Sequence, residues 1–423
     1  MKKFRGGVVL TEGYSEKRVA AKRELLRLSP TAVFVPLRTK GTLMNPCITV
    51  GEHVRIGDPL AKDPAEFIPP IHSGISGVVR SVDLLHPSAE GGRAPTIVID
   101  NDGEYTAALL PPLPENAAPH DIVLRMYDAG LVGMGGGGYP THRKYRDLTA
   151  EWLLINACEC EPYLAADEGA AHHFLPLIAE GVKWLARAAH VADTHIRLCT
   201  ESADTAAVLR QSGFSVVVLP KRYPQGSERQ LTEAVLGKRL PDGVLPTQAG
   251  VVVSNLSTAA AMGDAGRGLP LTHRIVTVSG CVEKPCNVLA PIGTPIAHVC
   301  AITQPLYSHT RVRYIAGGPM TGRRLSSLDV GILKTCTGVT VLPSRNFPET
   351  PCIRCGACAR ACPSSLMPFL IEQASFLGED ERCRALRAQT CISCGCCSFI
   401  CPAKRNLAAR VTAVKRKIKE QGV

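Results

Sequence analysis

Two stretches near the end of the chain carry the same cysteine pattern: PCIRCGACARACP from Pro351 to Pro363, and CISCGCCSFICP from Cys391 to Pro402. Each contains C-x2-C-x2-C-x3-C-P. The short loop from first to third cysteine lets three thiolates converge on one cubane, and in paired runs the fourth cysteine of each ligates the cluster of the other. The spacing therefore predicts Cys352, Cys355, Cys358 and Cys401 around one [4Fe–4S] cluster, and Cys391, Cys394, Cys397 and Cys362 around a second. Gly356 and Gly395 stand where backbone must pass close to inorganic sulfide. Zinc also accepts C-x2-C pairs and is the alternative, but it does not account for a third and fourth cysteine in fixed phase, twice. Cys396 is the spare of the second run and is expected to point away from the cluster.

A second set of residues with chemical potential lies upstream. AGLVGMGGGGYPTHRKY, from Ala129 to Tyr145, is a turn whose amide hydrogens can approach phosphate closely. It matches neither G-x-G-x-x-G nor G-x4-G-K-[ST], because Lys144 comes six residues after the last glycine; alone, it reads equally well as a flexible loop. EWLLINACECEPYLAADE then places a buried strand over 152–155 before Asn156, Glu159, Glu161 and Asp167. Strand ends are where α/β sheets bind ligands. Amide and carboxylate groups there suit ribose or ribityl hydroxyls or an isoalloxazine edge; a solvated loop is the plainer alternative.

These residues need a scaffold, and composition bounds it. At 423 residues the chain has room for about three domains. Eighteen cysteines in a chain this large argue for metal and redox chemistry over a disulfide framework. The opening MKKFRGGVVLTEGYSEK has no apolar core, so no signal peptide is expected, and no apolar run approaches the roughly 18 residues that span a membrane. Lys and Arg number 48 against 37 Asp and Glu, a net charge of +11 that suits acidic partners. Part of it sits in RVTAVKRKIKEQ, read as a solvated basic helix or else a docking strip for a membrane surface or acidic protein. Aromatics at 5% give little support for base stacking, so nucleic acid is not expected as a partner.

Along the chain, SEKRVAAKRELLRL in the segment 1–30 has helical character. From 31 to 108, short apolar runs broken by glycine predict a small β-domain. Its VGEHVRIGDPLA and IHSGISGVV resemble the two half-motifs of a lipoyl/biotinyl-type sandwich. Only the shortened AKDPAEFIPP stands where a carrier hairpin would present its lysine, so Lys62 is read as a surface lysine. LLPPLPENAAPHD is a proline-rich linker near 109–121. HIRLCTE, ADTAAVLRQSG, FSVVVLP, SERQLTEAVLGKRL and GVVVSN then alternate strand and helix, the mark of α/β layering.

Together these parts resemble the RnfC family, the NADH-oxidising component of Rnf electron-transport complexes, and more distantly the flavin-binding component of respiratory complex I. The likeness runs from about Val35 to Ala413 and rests on GMGGGGYPTHRKY, NACECEPYLAAD, YPQGSERQL, SNLSTAAA, RIVTVSG with PIGTP, and AGGPMTG, in that order before the paired cysteine runs. The resemblance implies FMN bound within 129–268, with an NADH site against it. It implies Gly133, Gly135, Gly136, Gly138 and Lys144 around the phosphate, and Asn156, Glu159, Glu161 and Asn255 lining flavin and nicotinamide with Glu228 nearby. Hydride transfer needs no side-chain acid or base, so Glu159 and Glu161 are assigned to positioning and electrostatics at the catalytic centre.

The fold class so implied is multidomain α/β and α+β. An N-terminal segment (1–30) precedes a lipoyl/biotinyl-like β-sandwich (31–108) and a Rossmann-like FMN/NADH domain (109–271). A β-grasp module (272–345) and a ferredoxin-like helical domain with two [4Fe–4S] clusters (346–423) follow. The implied function is NADH oxidation at FMN, with single electrons passed through the clusters to Rnf subunits, ferredoxin or a soluble reductase. The implied location is cytoplasmic, free or attached peripherally at the cytoplasmic face of a membrane.

The family's G-G-[VI]-H-P-P opening is here only FRGGVVLTEG, and Cys47, Cys158, Cys281, Cys286 and Cys336 stand where other residues are expected. Extra cysteines are read as small buried hydrophobes, although the turn CVEKPC could bring Cys281 and Cys286 together as a redox pair. Such departures suit a soluble relative, like the electron-transfer protein of D-proline reductase or the cobalamin reductase group. A flavin reductase acting directly on a corrin or protein disulfide, and a flavin-free ferredoxin-like relay, are the alternative functions.

Overall fold

The structure is a computed structural model that describes residues 4–11, 13–304, 311–344 and 347–421. Residues 305–310 of the expected 272–345 module lie outside the described residues.

Alternation of apolar and polar residues builds the first region. Val33 and Val35, Ile97 and Ile99, and Val79 all point to one side, as one-sided antiparallel sheets require. Their strands form a sheet in the order Ala32–Pro36, Arg93–Asn101, Gly77–Pro87, His53–Val54. A second sheet of Asn45–Pro46, Pro59–Lys62 and Ile71–His72 closes over the same core through Leu60 and Ala61. Lys62 ends its strand exposed to solvent.

Continuous apolar runs build the second region. Trp152–Ala157, Ile196–Thr200, Val216–Val218 and Val251–Asn255 form a wholly parallel sheet, and such runs mark strands covered on both faces. The helices Ala166–Ala188 and Leu256–Gly266 pack against each other closely enough that a Cβ on Gly181 would overlap the Ala259 carbonyl, and one on Gly263 that of Leu177. The strand order is Val216–Val218, Ile196–Thr200, Trp152–Ala157, Val251–Asn255. After running outward through two strands, the chain returns to the far side of the first. The crevice between Asn156 and Asn255 is thus a topological switch point, where open α/β sheets bind ligands.

A third sheet runs Leu26–Arg27, Cys286–Pro291, His273–Gly280, Gly338–Pro343, Val312–Ala316, Arg323–Arg324. His273–Gly280 pairs parallel with Gly338–Pro343, flanked by antiparallel neighbours. Helix Ile296–Thr303 buries Ile296, Val299 and Cys300 in the core of this region. The cysteine runs lie in a last region of short helices, closed by Leu407–Glu420.

Three local expectations change. The N-terminal helix is Tyr14–Lys22, and its expected continuation is a strand, Leu26–Arg27, which pairs with Val288 and Leu289. The linker is shorter than its prolines suggest: Pro119 opens the helix Pro119–Asp128, a first-turn position where the missing N–H is no loss. Leu110 and Leu113 donate to the carbonyls of Gly268 and Gly266. The basic tail is not solvated all round, because Leu407, Val411, Val414 and Ile418 recur at helical spacing and are buried. Val411, Val414 and Ile418 pack with Ile371 and Ala388. Among the described residues, no helix is long and apolar enough to cross a membrane.

Candidate functional site

The glycine turn sits at the mouth of the switch-point crevice. The Gly133 amide donates to the Tyr139 carbonyl at 2.8 Å and the Gly138 amide to that of Gly133 at 2.9 Å, which closes the loop. Gly136 has φ +93° with open space where a side chain would stand, a conformation that favours glycine. Among the described residues, the amides of Gly135, Gly136 and Gly137 have no acceptor within the chain, and all three glycines face the cleft. Gly133 and Gly138 shape the turn without lining the cleft. Lys144 also lies off its wall, with its ammonium held by the Glu228 carboxylate at 2.5 Å and by the Val253 carbonyl.

The strand ends supply the opposite wall. The Asn156 amide donates to the Gly226 carbonyl at 2.8 Å, while its oxygen accepts from the Cys158 amide at 2.9 Å. Asn255 caps the helix Leu256–Gly266 by accepting from the Ser257 amide, and donates to Asp167 at 2.6 Å. Asp167 also accepts from the Ser257 hydroxyl at 2.7 Å and gives its own amide hydrogen to the Glu159 carboxylate at 2.7 Å. The Glu161 carboxylate accepts from the amides of Met320 and Thr321, at 3.1 and 2.8 Å. A Cβ on Gly318 would come within 2.4 Å of that carboxylate, so AGGPMTG is small because Glu161 lies against it. Burial raises all three acids above the ordinary carboxylate range. At Glu159 the neighbouring Asp167 raises the value further against the pull of Lys17, while at Asp167 the hydrogen bonds from Ser257 and Asn255, and then Arg274, oppose the burial. The pair therefore holds a proton to higher pH than exposed carboxylates do.

Glycine turn, strand ends, the 317–322 loop and residues 392–394 of the second cysteine run enclose a cleft of about 570 Å³, within the range of cofactor pockets. The Tyr223 hydroxyl donates to the Cys394 carbonyl at 2.7 Å and ties that run to the cleft. Beyond it, Cys362, Cys391, Cys394 and Cys397 line one small hollow, and Cys352, Cys355, Cys358 and Cys401 line another. These are the two crossed groups of four that the spacing predicts. Among the described residues, no group of three or more His, Cys, Asp or Glu side chains stands ready to hold a single metal ion.

Several side chains depart from expectation. Cys396 is buried and borders the inner hollow, with its sulfur 4.0 Å from the Tyr223 carbonyl and its side chain packed with Val8, Leu10 and Tyr223. Cys286 is buried in the third region's core, and Cys281 packs partly buried against it. Cys158 and Cys336 are buried as small hydrophobes should be, but Cys47 is exposed. Arg274 was not anticipated. Fully buried, it donates to the carbonyls of Lys334 and, at 3.2 Å, Met134, and faces Asp167 and Glu159. The only signal was an arginine inside the apolar run HRIVTVSG.

Comparison with known proteins places this geometry. Residues 126–264 match the Nuo51 FMN-binding domain, and residues 2–104 match the RnfC barrel sandwich hybrid domain. The C component of the proton-translocating ferredoxin:NAD(+) oxidoreductase complex of Clostridium ljungdahlii is 32% identical, over 90% of this chain and 85% of its own. The C component of the Na(+)-translocating counterpart in Acetobacterium woodii is 34% identical, over 92% and 91%. That of the ion-translocating oxidoreductase complex of Pseudomonas aeruginosa is 35% identical over 78% of this chain, which spans only 44% of its length. Among solved structures, an NAD+-reducing [NiFe]-hydrogenase in the H2-reduced state shares the fold with TM-score 0.51 and 19% identity, over 73% of this chain and 62% of that one.

Proposed function

Because the chain belongs to the RnfC family, whose members are electron-transfer components of oxidoreductase complexes, we propose that it holds FMN in the cleft, oxidises NADH there and passes single electrons through two [4Fe–4S] clusters to a partner. One observation carries this reading: the glycine turn and strand ends share their cleft with residues 392–394, so a cluster in the inner hollow would adjoin whatever the cleft holds. FMN supplies the chemistry the side chains lack, accepting a hydride and releasing electrons one at a time. The cleft fits it, because the free amides of Gly135, Gly136 and Gly137 offer a phosphate cradle with no side chain in the way.

The chain's own residues position and insulate. Asn156 and Asn255 hold the two strand ends on either side of the crevice through Gly226 and Asp167. Glu161 anchors the loop at Met320 and Thr321. Burial favours a proton on the Glu159 and Asp167 pair near the cleft, which lowers the negative charge of that side. Lys144, paired with Glu228, supports the turn from behind. The inner cysteine set would hold the cluster next to the cleft, and the outer set, with two exposed cysteines, would hold the one a partner can approach, each group supplying one-electron transfer.

Residues 31–108 are read as the lipoyl/biotinyl-like sandwich and 272–345 as a β-grasp module, in keeping with its two hairpins, intervening helix and central parallel pair. They frame the FMN/NADH domain, 109–271, and the two-cluster domain, 346–423. The relatives' names favour a ferredoxin:NAD(+) oxidoreductase complex as the setting, and the reading places the chain at the cytoplasmic face of a membrane. The test is anaerobic purification with FMN, iron and sulfide quantified, followed by NADH titration watched by absorbance. One flavin and about eight irons, both bleached by NADH, are expected. Eight irons with no flavin and no response to NADH would overturn the reading in favour of a relay.

A further inference from the structure

The outer cysteine hollow opens to solvent. Cys352 and Cys355 are exposed, and Ile353 between them is 67% exposed, an unusual place for a large apolar side chain unless something covers it. Three cations lie on the hollow or next to residues that line it. Arg354 lines the hollow, Arg360 donates to the Cys355 carbonyl at 3.0 Å, and the Lys404 ammonium lies 5.6 Å from the centre of the Phe347 ring. All three are exposed.

The nearby acids are already engaged: Glu349 with Arg410, and Glu372 with both Arg405 and Arg410. Elsewhere in this region some exposed cations have carboxylate partners, as Arg382 has Glu379 and Lys417 has Asp380, while Arg416 and Lys419 lie apart on the closing helix. Among the described residues, Arg354, Arg360 and Lys404 pair with no carboxylate, so three uncompensated positive charges lie at or beside the outer hollow. An apolar centre inside a rim of one charge sign is the anatomy of a small transient interface, steered by complementary charge.

We propose that this face docks an acidic one-electron carrier protein, with Ile353 at the centre of the contact and Arg354, Arg360 and Lys404 meeting its carboxylates. The inference rests on the reading that electrons pass through the outer cysteine set. The simpler role for the three cations is to offset the negative charge of the cluster itself. That role would alter transfer to every acceptor alike, whereas docking affects only an acidic protein.

The experiment uses the full chain with its clusters reduced by dithionite and freed of excess reductant, so that the result does not depend on the flavin route. Stopped-flow mixing measures electron transfer to a small acidic 2[4Fe–4S] ferredoxin and, separately, to methyl viologen. With the wild-type chain, the ferredoxin rate should fall by about tenfold or more on raising salt from about 0.05 to 0.5 M, as screening removes the steering. The triple substitution Arg354→Glu, Arg360→Glu, Lys404→Glu should lower the low-salt rate by a similar factor and flatten its salt dependence, with iron content and viologen rate unchanged. Ile353→Ser should slow the ferredoxin reaction and leave the salt slope in place. A triple variant that still reduces ferredoxin at the wild-type rate, or that slows both acceptors equally, overturns the docking surface. A failed NADH titration beside a positive result here would remove the flavin reading and leave this one standing.

Discussion

The two cysteine hollows have identical ligand spacing and opposite surroundings. The inner hollow abuts the cleft, and its loop is held from several sides: Tyr223 donates to the Cys394 carbonyl, Thr412 to the Ser393 hydroxyl and Lys415 to the Cys391 carbonyl. The outer hollow has two exposed cysteines and an exposed isoleucine, braced mainly by Arg405. Spacing determines what each set can bind. Surroundings determine what the bound group can exchange electrons with. A dry, fixed set beside the cleft suits transfer within the chain, and an open set suits transfer to another molecule.

The comparison is broken most directly by removing one ligand from each set. Cys394→Ser and Cys355→Ser should each lose about one cluster's iron, roughly four atoms. They should differ in consequence. Without the inner cluster, NADH should no longer reduce the outer one, whereas Cys355→Ser should leave NADH reduction of the inner cluster intact. Low-temperature EPR of the NADH-reduced proteins distinguishes them, and identical spectra from the two variants would show that the hollows are not in series.

Next in size is the brace of the outer set. Glu372 is nearly fully buried and joins Arg405, which lines the outer hollow, to Arg410. Glu372→Gln keeps the shape and removes the charge. Losing one member of a buried, hydrogen-bonded ion pair is strongly destabilising, and with both arginines able to reach water about 2 kcal/mol is expected. The urea midpoint should fall and the outer cluster should bleach before the inner one. Simultaneous bleaching would mean that the two hollows unfold as a unit.

The acids on the cleft side of the inner hollow give a pH signature. Glu159 and Asp167 have folded-state pKa values raised by burial, and Glu159 further by the nearby Asp167, so the folded chain retains a proton that the unfolded chain releases above about pH 4. Their contribution is therefore absent at lower pH and becomes increasingly unfavourable as pH rises toward the folded values. Glu159→Gln should make stability less pH-dependent between about pH 5 and 7, by up to about 1 kcal/mol per unit. An unchanged slope in urea titrations would place the retained proton on Asp167.

What could be read from the sequence follows the range of the interactions. The two cysteine sets were legible because cluster geometry constrains residues only a few positions apart. The strand and helix alternation from Ile196 to Asn255 was legible because apolar runs and Ser202 at a helix start are local signals. Gly135 and Gly136 were legible as a turn, but the hold of Glu228 and Val253 on Lys144 was not, because those partners are about a hundred residues away. Distance in sequence also hid the pairing of Leu26 with Val288, and the packing of the basic tail on Ile371. Arg274 was missed for a related reason. A charge in a buried strand has meaning only once its carbonyl acceptors are in place.

The smallest effect sharpens the comparison most finely, because it touches only the link between the inner hollow and the cleft. Tyr223 is buried and gives its hydroxyl hydrogen to the Cys394 carbonyl. Tyr223→Phe removes one hydrogen bond and leaves that acceptor buried, a loss of about 1 kcal/mol. Both clusters should be retained, since no ligand changes. If the hydroxyl serves stability alone, the urea midpoint falls slightly and the inner cluster's reduction potential stays where it was. If it also fixes the distance from the inner set to the cleft, NADH-driven reduction of that cluster slows while dithionite reduction does not. A variant slowed equally with both reductants would instead place the fault in the cluster itself, and Tyr223 would be no more than a strut of the inner hollow.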